Sequence, residues 1–525
     1  MAAPDFDSGG DRCGVDRLRR APLPLLAEFA LRKAGAAGSW FTEPTVLLAA
    51  LALLTALRLL VAATTNVAPD EAYYWVWSRS LQPGYLDDSP MVALFIRAGS
   101  AIAGPTSLGI RLLGPLAVAL GSVLICRAGC DFFPRHPAAG PAASILINAT
   151  LLLGVGSVIM TPDTPLLFFW ALGLFAIGRL LASGNSRWWW VVGLAGGLAL
   201  DSKYTGCLFI AAVGLWLLVS RSGRRWLVRP EPWFGLMLAL LLFAPVVVWN
   251  ALHHWVSFLK QGGRVGAWHP AAALRFEAEL VGGQIALATP LIFVLAVAGT
   301  WQLARDAWRN GEPAAQLLSL LTLVPAALFL EHALGDRVQG NWPAVLYPSA
   351  LLAGAALAGQ PWVRLRAPAV VLGLVITGVV YVQATAQPLV LPARHDPALR
   401  QLGGWENLAE GVAEIGRENG AAFVAATNYG LAAELALHNP GPQPVVGVGS
   451  RWRLFRLAPA GAAIAGRGGL LVRRTSAGPP DPAQWLVLGP PFRLQRTDKG
   501  EVAESYFVYR VRARPGVVGA VLPIR

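Results

Sequence analysis

Charged side chains are scarce: Asp, Glu, Lys and Arg together make up 14% of the 525 residues, and 55% are apolar, against roughly 25% charged in ordinary soluble domains. That balance excludes a soluble enzyme and a disordered scaffold. Cysteine is scarcer still. Cys13, Cys126, Cys130 and Cys207 form no CxxC pair, and none lies in the polar C-terminal stretch, so neither a disulfide framework nor a thiolate metal site is expected. Carboxylates are outnumbered, 30 against 43 Lys and Arg, for a net charge of +13. The basic residues sit in short clusters between apolar runs, a use better suited to orientation in a membrane than to nucleic acid, which is not an expected partner. The runs do not alternate in polarity, which excludes an outer-membrane barrel. No cleavable leader is expected, because charges and prolines interrupt the first residues and the first long apolar run has spanning length.

What is abundant is long apolar segments. About eleven are read as spans: 45–63, 112–126, 138–159, 164–182, 188–200, 204–220, 233–250, 281–303, 314–331, 341–359 and 367–384. With the Arg-rich tail 1–44 placed inside, every cytoplasmic connection carries arginine, from Arg127 and Arg135 to Arg364 and Arg366. The outer loops carry the acids and other polar candidates instead. The first of them, 64–111, contains the apolar piece Met91 to Gly104, about 14 residues long, which fits an interfacial or re-entrant helix better than a span. After residue 385 the composition changes: an amphipathic pattern over Leu402 to Ile415 and short strand-like runs at 423–427, 445–448, 485–488 and 506–511 predict a small α/β domain over 386–525. An odd number of spans puts it outside. The fold class is an α-helical polytopic membrane protein with a small C-terminal extracytoplasmic α/β domain. Gly447-Val448-Gly449 lacks the further glycine and acidic partner of a nucleotide-binding loop.

The strongest local constellation is Pro69 to Trp75, followed by Gly84 to Pro90. Asp70 and Glu71 lie just beyond a span among aromatics, where desolvation and a neighbouring charge raise a carboxyl pKa toward that of a general base. Helix capping and an aromatic belt are equally consistent with the same residues. Thr161 to Pro165 and Asp201 to Gly206 lie at further outer boundaries, and Lys203 there is suited to meeting a phosphate, or to snorkelling. Arg337, Gln339, Asn341 and Trp342 offer a cation, amides and an indole for gripping a sugar. His253 and His254 are adjacent, without an HExxH pattern, and are weak candidates for a divalent metal site; no cofactor is certain.

The ordered set DEAYYWxWS, GYxDxxP, TPDTPLLFFW, SKYTG and GNWPA resembles glycosyltransferase family 39, the bacterial relatives of protein O-mannosyltransferases, of the lipid A aminoarabinose transferase and of the RgtA/B/C/D-like galacturonosyltransferases. The resemblance covers about residues 45–385 and extends with less weight to Gly403-Gly404-Trp405 and Tyr429 to Leu435. It implies a GT-C fold over 45–385, with the catalytic carboxylate in the first extracytoplasmic loop and a polyprenyl-phosphate sugar as donor. Carried over by motif, Asp70 is the catalytic acid residue, Glu71 stands beside it, and Asp163 matches a second acidic position. Arg111 resembles the basic residue after the first loop, and Lys203 lies near the lipid phosphate. Tyr74, Tyr85, Asp87 and Tyr204, with Arg111, Lys203, Arg337, Gln339, Asn341 and Trp342, are the substrate-binding candidates. Asp88-Ser89-Pro90 departs from the family's His-Pro-Pro.

These expectations describe an inverting transferase of the bacterial inner membrane with a periplasmic site. Its acceptor is a glycolipid such as lipopolysaccharide or lipid A, a polysaccharide or a protein hydroxyl. The alternative is a flippase or transporter of lipid-linked sugars. Against it, the chain shows no internal repeat with paired broken helices.

Overall fold

The computed structural model describes residues 43–263 and 268–525. The N-terminal arginines and Cys13 lie outside the described residues. Among those described, six helices are long and apolar enough to cross a membrane: Pro44–Thr64, Ser107–Phe132 (broken at Leu112), Asp163–Ser183, Glu231–Leu252, Pro313–Ala333 and Gln360–Ala386. Two bent pairs, Tyr204–Val219 with Arg221–Leu227 (102°) and Pro270–Ala288 with Pro290–Asn310 (108°), raise the number to at most eight.

The expected eleven are therefore not all single spans, and the reasons are local. The run 281–303 is cut at Thr289, whose φ is +70°, because Pro290 cannot continue the preceding helix. The run 138–159 breaks after Asn148, and Thr150 caps the next short helix, its hydroxyl accepting from the Leu153 N–H at 3.2 Å. The Met91–Ala103 helix has 13 residues and exposes Leu94 and Ile102, as an interfacial segment does.

The helices bury one continuous core in which Trp170, Leu174, Ile177, Leu317 and Leu351 are inaccessible. Close approach depends on small residues: a Cβ on Gly193 would fall 2.1 Å from the Gly235 carbonyl oxygen. Charge is also buried inside this body. Arg58 is buried and donates to Asn148 Oδ1 at 2.7 Å, while Asn148 Nδ2 donates to Ser122 Oγ at 2.7 Å.

The C-terminal domain is a seven-stranded mixed sheet: β1 (Val424–Ala426), β2 (Val445–Val448), β3 (Gly468–Arg474), β4 (Trp485–Val487), β5 (Phe492–Asp498), β6 (Glu501–Ala513) and β7 (Gly519–Val521). The strand order is β4-β6-β3-β1-β2-β7, with β5 also on β6; β1 pairs in parallel with β2 and β3, and the outer pairings are antiparallel. The Tyr429–Leu437 helix is the crossover between β1 and β2 that a parallel pair requires. Gly447 has a packing role: a Cβ there would lie 2.4 Å from the Trp452 ring. One buried cluster joins this domain to the Pro69–Arg79 helix, bringing Trp75, Val76 and Trp77 together with Leu431, Leu435, Trp452 and Phe455. The sheet domain is thereby fused by a hydrophobic core to the segment that carries Asp70.

Candidate active site

The Pro69–Arg79 helix opens with proline in its first turn, and the Ala68 N–H donates to Glu71 Oε2 at 3.0 Å. Asp70 and Glu71 both lie in that turn, where the helix dipole favours negative charge. Successive helical positions point about 100° apart, so the two carboxylates meet different surroundings.

Glu71 turns inward and is fully buried. Arg111 grips it with both forks, Nε to Oε1 at 2.7 Å and Nη2 to Oε2 at 2.5 Å, and the Met160 N–H donates to Oε1 at 2.8 Å. The remaining Arg111 donors reach Thr65 O at 2.9 Å, Thr65 Oγ1 at 2.8 Å and Asn66 O at 2.7 Å. Sequence reasoning gives Glu71 a share in catalysis and assigns Arg111 to the substrate; the structure places both outside the cavity wall. Each is inaccessible, each has its polar atoms engaged, and neither lines the cavity described next. They hold the end of the first span, the start of the Asp70 helix and the Met160 turn together.

Asp70 faces a cavity of about 630 Å³ whose wall is drawn from the 64–111 segment, the membrane helices and the C-terminal domain. It accepts a hydrogen bond from the Tyr429 hydroxyl at 2.9 Å. Enclosing protein raises its pKa above the ordinary aspartate range, Asp87 and Glu71 add to the rise, and Tyr429 and Arg451 oppose it. Tyr74 stands beside it on the same wall.

Two charge clusters flank Asp70. In one, Asp163 holds Lys203 Nζ at 2.8 Å through Oδ1 and accepts from Asn341 Nδ2 at 2.5 Å through Oδ2. Asp163 opens the Asp163–Ser183 helix, Lys203 follows the last residue of the Trp188–Ser202 helix, and Asn341 precedes a short 3-10 turn, so three chain breaks converge. Gln339, Trp342 and Tyr204 extend this wall, and Tyr204 Oη lies 2.5 Å from Ser257 Oγ. In the other cluster, Asp87 accepts from Tyr73 Oη at 2.8 Å and pairs with both Lys260 and Arg451, while Gln261 Nε2 donates to the Asp87 carbonyl at 2.5 Å. Asp88 is buried between them, and desolvation pushes its pKa up to about 7, with Lys203 partly offsetting the rise.

Two further candidates lie elsewhere. Tyr85 is buried, stacked on Trp77 at 4.1 Å with its hydroxyl donating to the Trp77 and Ser80 carbonyls, and so it is a packing residue of the loop. Arg337 is exposed and bound to Glu279 at 2.6 and 2.9 Å, outside the cavity wall.

The possible metal is not matched by the donor set. Among the described residues no group of three or more His, Cys, Asp or Glu is placed to hold an ion. The carboxylates of Asp87 and Asp163 are already neutralised by cations. His253 stacks on Trp249 at 4.2 Å with Nδ1 2.7 Å from the Trp249 carbonyl oxygen, and His254 sits in a turn with φ of +57°. No step is derived through a metal.

Sequence reasoning missed Tyr429, Arg451, Tyr73, Gln261 and His332 as site residues, and left Asp88 and Lys260 only as polar outer-loop residues. Tyr429 and Arg451 reach the site from 359 and 364 positions away from their partners, a distance no local pattern spans.

Residues 87–249 match the family model for dolichyl-phosphate-mannose-protein mannosyltransferase. Lipid A galacturonosyltransferase RgtD from Rhizobium johnstonii is 26% identical over 380 residues, 71% of this chain and 77% of its own. ArnT from Cupriavidus metallidurans in its apo state superposes with a TM-score of 0.59 at 14% identity, covering 90% of this chain and 98% of ArnT. Its crystal form bound to undecaprenyl phosphate gives 0.58 at 14% identity over 89% and 97%. The chain is thus similar in sequence to these membrane glycosyltransferases and shares the fold of ArnT.

Proposed function

We propose that the protein moves one sugar from a polyprenyl-phosphate carrier to a lipid A-type glycolipid, at the outer face of a bacterial inner membrane. The observation that carries the reading is the placement of Asp70 in one cavity with Lys203, on a wall built from the ends of membrane helices, and with Asp87, whose carboxylate is paired to Lys260 and Arg451. The relative's named acceptor, lipid A, and the undecaprenyl phosphate held by the similarly folded ArnT supply the substrate classes.

In the reaction, the acceptor hydroxyl attacks the anomeric carbon. Its O–H bond breaks, the proton passes to Asp70, and the oxygen lone pair forms the new glycosidic bond. The bond from the anomeric carbon to the phosphate oxygen breaks with its electron pair left on the lipid phosphate, and the configuration inverts. A lipid phosphate leaves readily, so stabilising its charge matters more than protonating it. Lys203 is suited to that task, because Asp163 fixes the ammonium at the wall without enclosing it. Arg111 and Arg337 do not reach the cavity. The C-terminal domain lies on the same outer side in this reading, over the first outer loop.

The test is transfer of radiolabel from synthetic polyprenyl-phosphate sugars to lipid A by the full chain in lipid nanodiscs, wild type beside Asp70→Asn. Label should move only with wild type. An active Asp70→Asn enzyme removes Asp70 from the mechanism, and label that changes leaflet in sealed vesicles without transfer replaces the reading with a transporter.

A further inference from the structure

We propose that the C-terminal domain is a working part of the active site, with Tyr429 as a positioning residue that fixes the carboxylate of Asp70 for proton transfer. The inference rests on the reading of Asp70 as base, and it concerns what holds that base in place.

Asp70 Oδ1 receives the Tyr429 hydroxyl at 2.9 Å, and among the described residues no other side chain donates to it. One oxygen is thereby engaged and the other left for the acceptor. A hydrogen bond donated to an ionised carboxylate also favours the charged form, which is the form that takes a proton.

Tyr429 is itself firmly held. Its ring lies 4.7 Å from that of Tyr73, and the Arg451 guanidinium sits over its face at 4.4 Å. It is the first residue of its helix, fixed by Asn428, whose Oδ1 accepts from the Leu431 N–H at 3.0 Å. Gly430 follows because the two helices meet end to end there: an added Cβ would lie 2.8 Å from Pro69 Cβ. The buried seam of Trp75, Val76, Leu431 and Leu435 then ties the contact into the core that the C-terminal domain shares with the Asp70 helix.

Arg451 does on the adjacent wall what Tyr429 does at Asp70. It donates to Tyr73 Oη at 2.9 Å and pairs with Asp87, so the C-terminal domain touches Asp70 and Asp87, two of the three acids of the first outer loop that line the cavity. The titratable and charged groups that act on Asp70 are Glu71, behind it on its own helix, Tyr74 on the same helix, Asp87 on the following loop, and Tyr429 and Arg451 from the C-terminal domain. Of these, Tyr429 and Arg451 lower its affinity for a proton.

The experiment uses the full chain in nanodiscs with Tyr429→Phe, which keeps the ring and removes the hydroxyl. An infrared pH titration, with Asp70→Asn identifying the Asp70 carboxyl band, reads protonation without any turnover. In Tyr429→Phe that band should titrate about one to two pH units higher than in wild type. The acid limb of kcat/KM should rise by the same amount, and kcat at the plateau should fall about tenfold. If Tyr429→Phe folds poorly, Gly430→Val retains the hydroxyl but pushes the helix away from Pro69, and should move the band the same way. An unchanged band and acid limb overturn the proposal even if Asp70→Asn is inactive. A shifted band with an active Asp70→Asn would sustain the coupling to Asp70 while ending its role as base.

Discussion

Two regions on either side of a single helical turn hold adjacent carboxylates and treat them oppositely. Behind the turn, Glu71 is sealed with Arg111, and every strong donor and acceptor is matched inside the protein. In front of it, Asp70 opens onto a cavity with one hydroxyl partner, among acids and cations that remain within reach of a substrate. A buried ion pair fixes geometry because breaking it is costly; an open carboxylate with a raised pKa is available to exchange a proton. Having an acid and a base nearby does not make a site, and access together with an unfilled hydrogen-bonding capacity does.

The contrast can be broken from either side. The largest effect is expected for Asp70→Asn, a loss of about a hundred- to ten-thousand-fold in transfer rate with thermal stability unchanged. Arg111→Met should do the reverse. It leaves Glu71 buried without its partner and costs about 3–5 kcal/mol of stability, read as a lowered melting temperature, while the properly folded fraction keeps its turnover. Replacing both members, Glu71→Gln with Arg111→Met, should cost less than the sum of the two single changes.

At the leaving-group wall, Lys203→Gln should lower kcat/KM for the lipid donor about ten- to hundred-fold, read in initial rates against donor concentration. The effect of Asp88→Asn should be read in the pH dependence of stability. The Asp88 pKa stands near 7 in the folded chain and near the ordinary aspartate value unfolded. Its folded form thus binds the extra proton, and wild type loses stability as pH climbs from about 4 through about 7. Asp88→Asn should flatten that slope in melting curves recorded across the same pH range.

Much of this was legible in the sequence because it is written in short-range patterns. Apolar length marks the membrane body, the acids beside Tyr and Trp mark the segment that carries Asp70, and Lys203 and Asn341 each lie at a span boundary where polar residues reappear. What escaped depends on contacts across the fold. Local order gives Asp70 and Glu71 the same status, and only Arg111, arriving 40 residues later, separates them. Strands β3 and β5 are poorly marked, since β5 alternates Arg493, Gln495 and Thr497 with only partly buried partners at Phe492 and Leu494. The long run 281–303 looks uniform to a hydropathy average, yet one proline bends it by 108°.

The sheet that carries Tyr429 is closed from far along the chain. β7, at residues 519–521, pairs with β2, the strand that the Tyr429–Leu437 helix leads into. Tyr429 thus meets Asp70 from a scaffold whose edge strand belongs to a much later stretch of sequence, and the pair is assembled from segments that only the finished fold brings together.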